Sequence, residues 1–425
     1  MSKQTTKRQP LGRAFNQLWS ATLASHVADG LFGTAVPLLA ASLTRDPVTI
    51  SILGALAMLP WLFFAIPIGT LVDRVDRRKA MAWATSIRLA GAAVLSVSVA
   101  THGVTIPILY VLVFVIGAAE VLYDTTAQAL VPVMMSHDLL ERANSRLQIG
   151  ATTVGQMIAS PMSGMLFAIS IAIPFVSGTA GIALAFILVL LIPGSYRKAI
   201  NLDVPSEPTS PLQDMKFGIK YLYNDKNLLK LVLFTTIVGF FFSSTGSTMV
   251  LFVLQDLHVP ESWFGVLMLA GAVGNILGGI WAPRWSKRFG RMNTMAAGIF
   301  LSGLSMALGG LVAYNAVTWS ILAVLGGICM AQWNILLMST YHQIIPNELF
   351  GRIHGTRRTL VWGLMPFGNL LGGVFALINL RAPMIIGGGV ATIVAALGIP
   401  FIRRLSALVE PERVSVAVEP ALAAD

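Results

Sequence analysis

Twelve apolar blocks follow one another along this chain, near 15–43, 48–70, 80–101, 105–133, 146–170, 172–194, 228–255, 262–283, 292–314, 318–344, 357–378 and 382–402. A helix needs about 20 apolar residues to cross the hydrocarbon core, and these blocks are long enough. In hydrocarbon every backbone polar group must be satisfied within the protein, which leaves only helices or a closed barrel. Barrel strands read as segments of about ten residues in apolar and polar alternation, and the blocks here are continuous. The expected fold class is therefore an all-α polytopic membrane protein with twelve transmembrane helices. Charged residues make up 11% of the chain, against roughly 25% in a soluble domain, which excludes a soluble enzyme.

The net charge of +10 does not indicate nucleic acid, because that reading needs basic residues gathered on one soluble face. Here they sit in small groups between apolar blocks. Counted on alternate sides, 26 of the 29 Lys and Arg residues fall on one side. Cytoplasmic loops collect such residues, so both termini are expected in the cytoplasm and the protein in the inner or plasma membrane. The first apolar block is longer than a signal-peptide core of roughly 7 to 15 residues, so it reads as a retained first span. The single cysteine, Cys329, lies inside an apolar block and offers neither a disulfide framework nor a thiolate metal cluster.

The one long connection, 195–227, begins rich in Pro and Ser and reads as a boundary. Leu212, Met215, Ile219 and Leu222 then recur at helical spacing opposite Lys216 and Lys220, as on a helix lying along the inner leaflet. An internal repeat supports the division. At an offset of 210, Gly69 meets Gly279, Arg74 meets Arg284, Arg78 meets Arg288, Gly117 meets Gly327, Leu139 meets Leu349 and Arg142 meets Arg352. The expected organisation is two pseudo-symmetric six-helix bundles, 1–194 and 228–404, with a linker at 195–227 and a tail at 405–425. A substrate site is expected near the bilayer midplane between them.

The loop after the second span reads Gly69-Thr70-Leu71-Val72-Asp73-Arg74-Val75-Asp76-Arg77-Arg78-Lys79. It resembles the G-x-L-x-D-R-x-G-R-R/K loop of the major facilitator superfamily, with Asp76 in place of the second Gly. The DRxDRR form, with LWSATLASHVADGLFGTAVPLLA in the first span and LERANSRLQ before the fifth, is similar to the branch holding enterobactin exporters and macrolide-efflux proteins. GQMIASPMSGML in the fifth span resembles the antiporter signature in part, with Ser160 and Ser163 where glycines stand in its core. The resemblance implies a two-bundle secondary transporter working as a monomer on a small molecule. It also implies a latch in which the carboxylate matching Asp73 meets basic groups at the cytoplasmic face. Arg74, Arg77, Arg78 and Arg142 are the candidates, with Arg284 and Arg288 in the second copy, where Pro283 stands in place of the acid.

Ionisable groups inside a bilayer are costly and mark function. Asp29 in the first span and Glu120 and Asp124 in the fourth qualify, with His26 on the same helix face as Asp29. Glu120, Asp124 and Gln128 follow at steps of four along one face. Burial and like charge both disfavour the ionised form, so such groups can exchange a proton near neutral pH. Proton coupling is therefore assigned to Asp29, Glu120, Asp124 and His26, the alternative being that the acids pair with Arg88. The second half has no acid within its spans, and Trp333, Asn334 and Met338, with Gln128 and Gln156, are candidate substrate contacts. Helix packing is the competing role for each. No phosphate-binding loop, metal-ligand cluster or nucleophile motif is present, so no cofactor and no enzymatic activity are expected. The best reading is an exporter of a drug-like, macrolide-like or siderophore-like molecule, driven by proton antiport. A proton-coupled uptake symporter and a non-transporting receptor or scaffold remain as alternatives.

Overall fold

A computed structural model describes residues 11–196 and 211–406, which are helical throughout their regular elements. Four long helices open the chain: α1 (Arg13–Leu43), α2 (Pro47–Arg74), α3 (Arg77–Ala100) and α4 (Ile106–Met134). The fifth predicted span is a continuous run of α5 (His137–Gly150), a π-helical segment π1 (Ala151–Ala159) and α6 (Ser160–Ile169). Among the described residues, eleven other helices are long and apolar enough to cross a membrane. The predicted twelfth is this run, whose continuity is divided by the π segment.

Beyond α7 (Ala172–Leu190), α8 (Pro211–Asn224) carries the expected amphipathic pattern. Its Leu222 is buried while Lys216 and Lys220 are exposed. The Leu212 side chain and most of the Pro/Ser stretch lie outside the described residues, as does the tail beyond 406. The seventh predicted span is not one helix. α9 (Lys226–Ser243) stops at a turn over 244–248 before α10 (Met249–Leu251) and a second π segment, π2 (Phe252–Asp256). Six consecutive Ser, Thr and Gly residues make this break, Ser243 to Thr248. Their hydroxyls bond backbone carbonyls in competition with the helix ladder. Ser243 Oγ reaches Phe240 O at 2.8 Å and Met365 O at 2.9 Å.

The remaining helices are α11 (Glu261–Phe289), α12 (Arg291–Val312), α13 (Ala316–Ile344), α14 (Asn347–Gly363), α15 (Met365–Ile378) and α16 (Ala382–Arg404). Packing divides the chain into two units, Met1–Ala35 with Phe63–Pro205, and Val36–Leu62 with Ser206–Asp425. In the first unit α3 packs on α4 and α7, over a core that includes Phe15, Leu18, Met81, Tyr123 and Val189. In the second, α12 packs on α13 and α16, and α11 on α13. Without a hydrophobic force between helices in lipid, close approach depends on small residues. Gly274 and Gly278 of α11 lie directly against the backbone of α13 at Val324 and Ile328.

Helix starts refine the repeat. α4 and α13, α5 and α14, and α7 and α16 begin 210 residues apart, as expected, but α2 and α11, and α3 and α12, begin 214 apart. The offset is thus 214 across α2, the motif loop and the start of α3, and returns to 210 at α4, because the stretch from the start of α12 to the start of α13 is four residues shorter than that from α3 to α4. Arg74 then matches Arg288 rather than Arg284, and Asp76 matches Gly290.

Candidate functional site

In the first unit, α1 supplies Ser25, His26 and Asp29, α3 supplies Arg88, and α4 supplies Glu120, Tyr123 and Asp124. Arg88 is 1% exposed. Its guanidinium pairs with Asp29, donates from Nη1 to Ser25 Oγ at 2.6 Å, and lies 5.3 Å from the Tyr123 ring centroid. His26 Nδ1 is 3.2 Å from Asp29 Oδ2. A buried guanidinium is tolerable only when a carboxylate and further hydrogen bonds satisfy it, and Asp29 fills that need. The pairing with Arg88 left open by the sequence is therefore present for Asp29.

Glu120 is different. It lies within the fields of Arg88, Asp29 and Asp124, is partly buried, and makes no hydrogen bond or ion pair among the described residues. Asp124, one turn along, also lies in the field of Arg88. Gln128 and Gln156 are exposed on α4 and π1. π1 itself packs on α1 beside the acid, where Gly30 lies against Gly155 and Ala159. Helical π segments recur at functional sites.

The second unit contains a cavity of about 700 Å³. Trp333, Asn334 and Met338, the three candidates on α13, all line it. Met58, Met330 and Met365 add flexible thioether walls, a lining suited to ligands of varied shape. Tyr341, His354, Arg357, Arg358 and Trp362 also line it, and sequence reasoning missed them as site residues. Positive-inside counting assigned Arg357 and Arg358 to a loop, whereas α14 carries them within a helix that qualifies as a span from Ile353. Trp362 four residues after Arg358 was the available signal, since residues four apart meet on a helix face. The Arg358 guanidinium stands 4.5 Å from the Trp362 ring and 5.2 Å from that of Trp61.

A second missed feature is the pair Asp256–Arg381 at 2.6 Å, with Arg381 4.5 Å from the Tyr314 ring. These residues come from π2, the chain before α16 and the chain before α13, so no local pattern announced them.

At the motif loop, Asp76 caps α3 by accepting from the Arg78 and Lys79 amides at 2.9 and 3.3 Å, and from the Ser195 hydroxyl. Its backbone is extended, with φ −66°, so glycine is not required. Partial burial pushes the Asp76 carboxyl up, but these donors outweigh it and hold it below the usual carboxylate value. Arg78 donates to Leu190 O at 2.6 Å and Gly194 O at 3.4 Å, which places a cation at the α7 C-terminus, where the helix dipole favours one. Arg77 is buried, while Arg74, Arg142, Arg284 and Arg288 are exposed. Arg284 donates to Ile280 O at 3.4 Å, Arg288 covers Phe289, and Gly69 borders open space. The Asp73 side chain lies outside the described residues.

Sequence comparison decides the family, because the Major Facilitator Superfamily profile matches residues 18–368. The chain belongs to that superfamily. It is 20% identical over 368 residues to macrolide efflux protein A of Streptococcus pyogenes, covering 85% of this chain and 89% of that protein. It is 24% identical over 375 residues to the multidrug efflux pump Tap of Mycobacterium bovis, covering 85% and 86%. Among solved structures, a mutant of the nucleoside transporter NupG aligns over 92% of this chain and 100% of that one, with a TM-score of 0.76 at 14% identity. A bacterial homologue of the iron transporter ferroportin, in an inward-facing state, covers 92% and 100% with a TM-score of 0.72 at 13% identity. The superfamily protein described here is accordingly a multi-pass membrane transporter with the major facilitator fold.

Proposed function

We propose that this transporter exports a small organic molecule across the cell membrane, both termini lying in the cytoplasm, in exchange for protons taken up on the outer side. Glu120 carries this reading. It is a carboxyl in mid-span with no hydrogen bond or ion pair among the described residues, beside an arginine whose charge is already held by Asp29. Arginine does not give up its proton in proteins, so the Arg88–Asp29 pair is a fixed dipole. Protonating Glu120 removes a charge from the apolar interior without breaking that pair, and deprotonating it leaves a carboxylate that Arg88 still attracts. Glu120 can thus load and unload a proton while the fold stays intact, and His26 on Asp29 and Asp124 on α4 adjust the same field. Export as the direction is supported by the efflux relatives. The motif loop serves as the cytoplasmic gate, with Arg74 and Arg142 exposed beside it and Arg78 holding the end of α7.

The test is a substrate-triggered pH change in proteoliposomes loaded with a pH-sensitive dye, with macrolides and other drugs added as a panel. Wild type should move protons opposite to substrate, and Glu120→Gln should abolish the pH change while drug binding persists. An unchanged proton signal in Glu120→Gln overturns the coupling role.

A further inference from the structure

The cavity of the second unit is built for more than a greasy ligand. Arg357 Nη2 donates to His354 Nδ1 at 3.3 Å, and its guanidinium carbon lies 4.4 Å from the Tyr341 ring centroid. Its Nε is buried without a hydrogen-bond partner, and Arg357 makes no ion pair among the described residues. One helical position on, Arg358 lies over Trp61 and Trp362. His354 is fixed in turn by stacking on Phe350, ring centroids 5.1 Å apart. This contrasts with Arg88, where a carboxylate answers the buried charge. A ring face offsets part of the cost of Arg357 in apolar surroundings, but it leaves Nε without a partner, and a guanidinium edge matches a carboxylate or a similar oxyanion.

We infer that this cavity is the binding site for an amphiphilic organic anion, its acidic group held by Arg357 and its apolar or aromatic body laid against Met330, Trp333, Met338 and Trp362. Asn334, on the same wall, supplies an amide that donates to the acid or accepts from a hydroxyl. The inference deepens the transport reading and rests on it for the word substrate, but it makes a claim about binding that stands apart from proton coupling. It also turns the expectation away from lipophilic cations, because a cation in this cavity meets the fixed positive charge of Arg357.

Three probes that share one fluorophore separate charge from hydrophobicity: dansylglycine (anionic), dansylamide (neutral) and dansylcadaverine (cationic). Binding to the purified full-length protein in detergent is followed by quenching of tryptophan fluorescence, since Trp333 and Trp362 line the cavity. Dansylglycine should bind more tightly than dansylamide by roughly ten- to a hundredfold, the usual reach of a hydrogen bond to a charged group, and dansylcadaverine should bind weakest. Arg357→Gln should bring dansylglycine down to the level of dansylamide without changing the latter, and Arg357→Lys should keep much of the preference, which distinguishes lost charge from lost fold. Equal affinity for the three probes, no saturable quenching by any of them, or an anion preference that survives Arg357→Gln overturns the inference. These affinities are read at constant pH without a proton gradient, and proton movement is read in the separate proteoliposome assay, so failure of proton coupling and failure of this site are distinguished.

Discussion

α4 and α13 are both 29 residues long and start 210 residues apart, so their positions match one for one. Glu120, Tyr123, Asp124 and Gln128 of the first unit stand where Met330, Trp333, Asn334 and Met338 stand in the second. One face of the repeated helix is acidic in the first copy, where it faces the arginine of α3. In the second copy it is lined by thioether and indole groups around a cavity whose charges are cationic and supplied by α14. This repeated helix has kept its length and exchanged its chemistry. A cluster in which Asp29 answers the buried arginine and Glu120 is left without a partner among the described residues fits the proposed proton role, whereas an apolar chamber with a cation unmatched by protein carboxylate fits the proposed anionic ligand.

The largest effect expected from this contrast is in the first unit. Asp29→Asn leaves Arg88 buried without its carboxylate and should destabilise the protein by about 3 to 5 kcal/mol, read as thermal unfolding in detergent. Adding Arg88→Met to that variant removes the stranded charge and should recover most of the loss; a double variant as unstable as the single one breaks the electrostatic account. Arg357→Met in the second unit strands no carboxylate and should not destabilise in this way, which sharpens the comparison.

Packing gives the next effect. Gly278→Leu drives a side chain into the α13 backbone at Ile328 and should cost about 1 to 3 kcal/mol by overpacking. Gly69→Ala in the matching helix of the first unit meets open space and should stay within about 0.5 kcal/mol. Equal costs at the two glycines would mean that α2 and α11 are held by similar contacts after all.

The smallest effect concerns the two copies of the loop, which start α3 and α12 by different means. Asp76→Ala removes a side-chain cap and should cost about 1 kcal/mol. Gly290 holds φ at +83°, and Gly290→Ala should cost about 1 kcal/mol or somewhat more, because a Cβ is strained in the left-handed region. The two differ in pH response. The folded Asp76 carboxyl titrates below its ordinary value of 3.8, so its contribution is complete above that value and is lost as the pH falls through the lower folded one. Acid titration of the unfolding temperature should therefore narrow the gap between wild type and Asp76→Ala and leave the Gly290→Ala gap unchanged.

Much of this was legible in advance. Block length and the scarcity of charge lead to the helical membrane fold, and the DRxDRR loop to the superfamily. Asp29, Glu120 and Asp124 stood out because an acid in an apolar block is expensive wherever it ends up. Arg357 and Arg358 were hidden by the same reasoning, since cations at the edge of an apolar block look like positive-inside anchors until the helix is seen to carry them beside a cavity. The break at 244–248 was hidden too, because Ser, Thr and Gly are common in membrane helices and only their bonds to α15 and α16 carbonyls show the unwinding.

What the amino-acid order determined by itself was set by solvent and chain: hydrocarbon forbids unsatisfied backbone, so every long apolar block had to become a helix. Which polar group meets which was decided by the tertiary structure alone. Asp29 and Arg88 lie on different helices, as do Arg357 and Tyr341, and in a low dielectric the difference between a paired charge and an unpaired one rests on a few ångströms that no local pattern encodes.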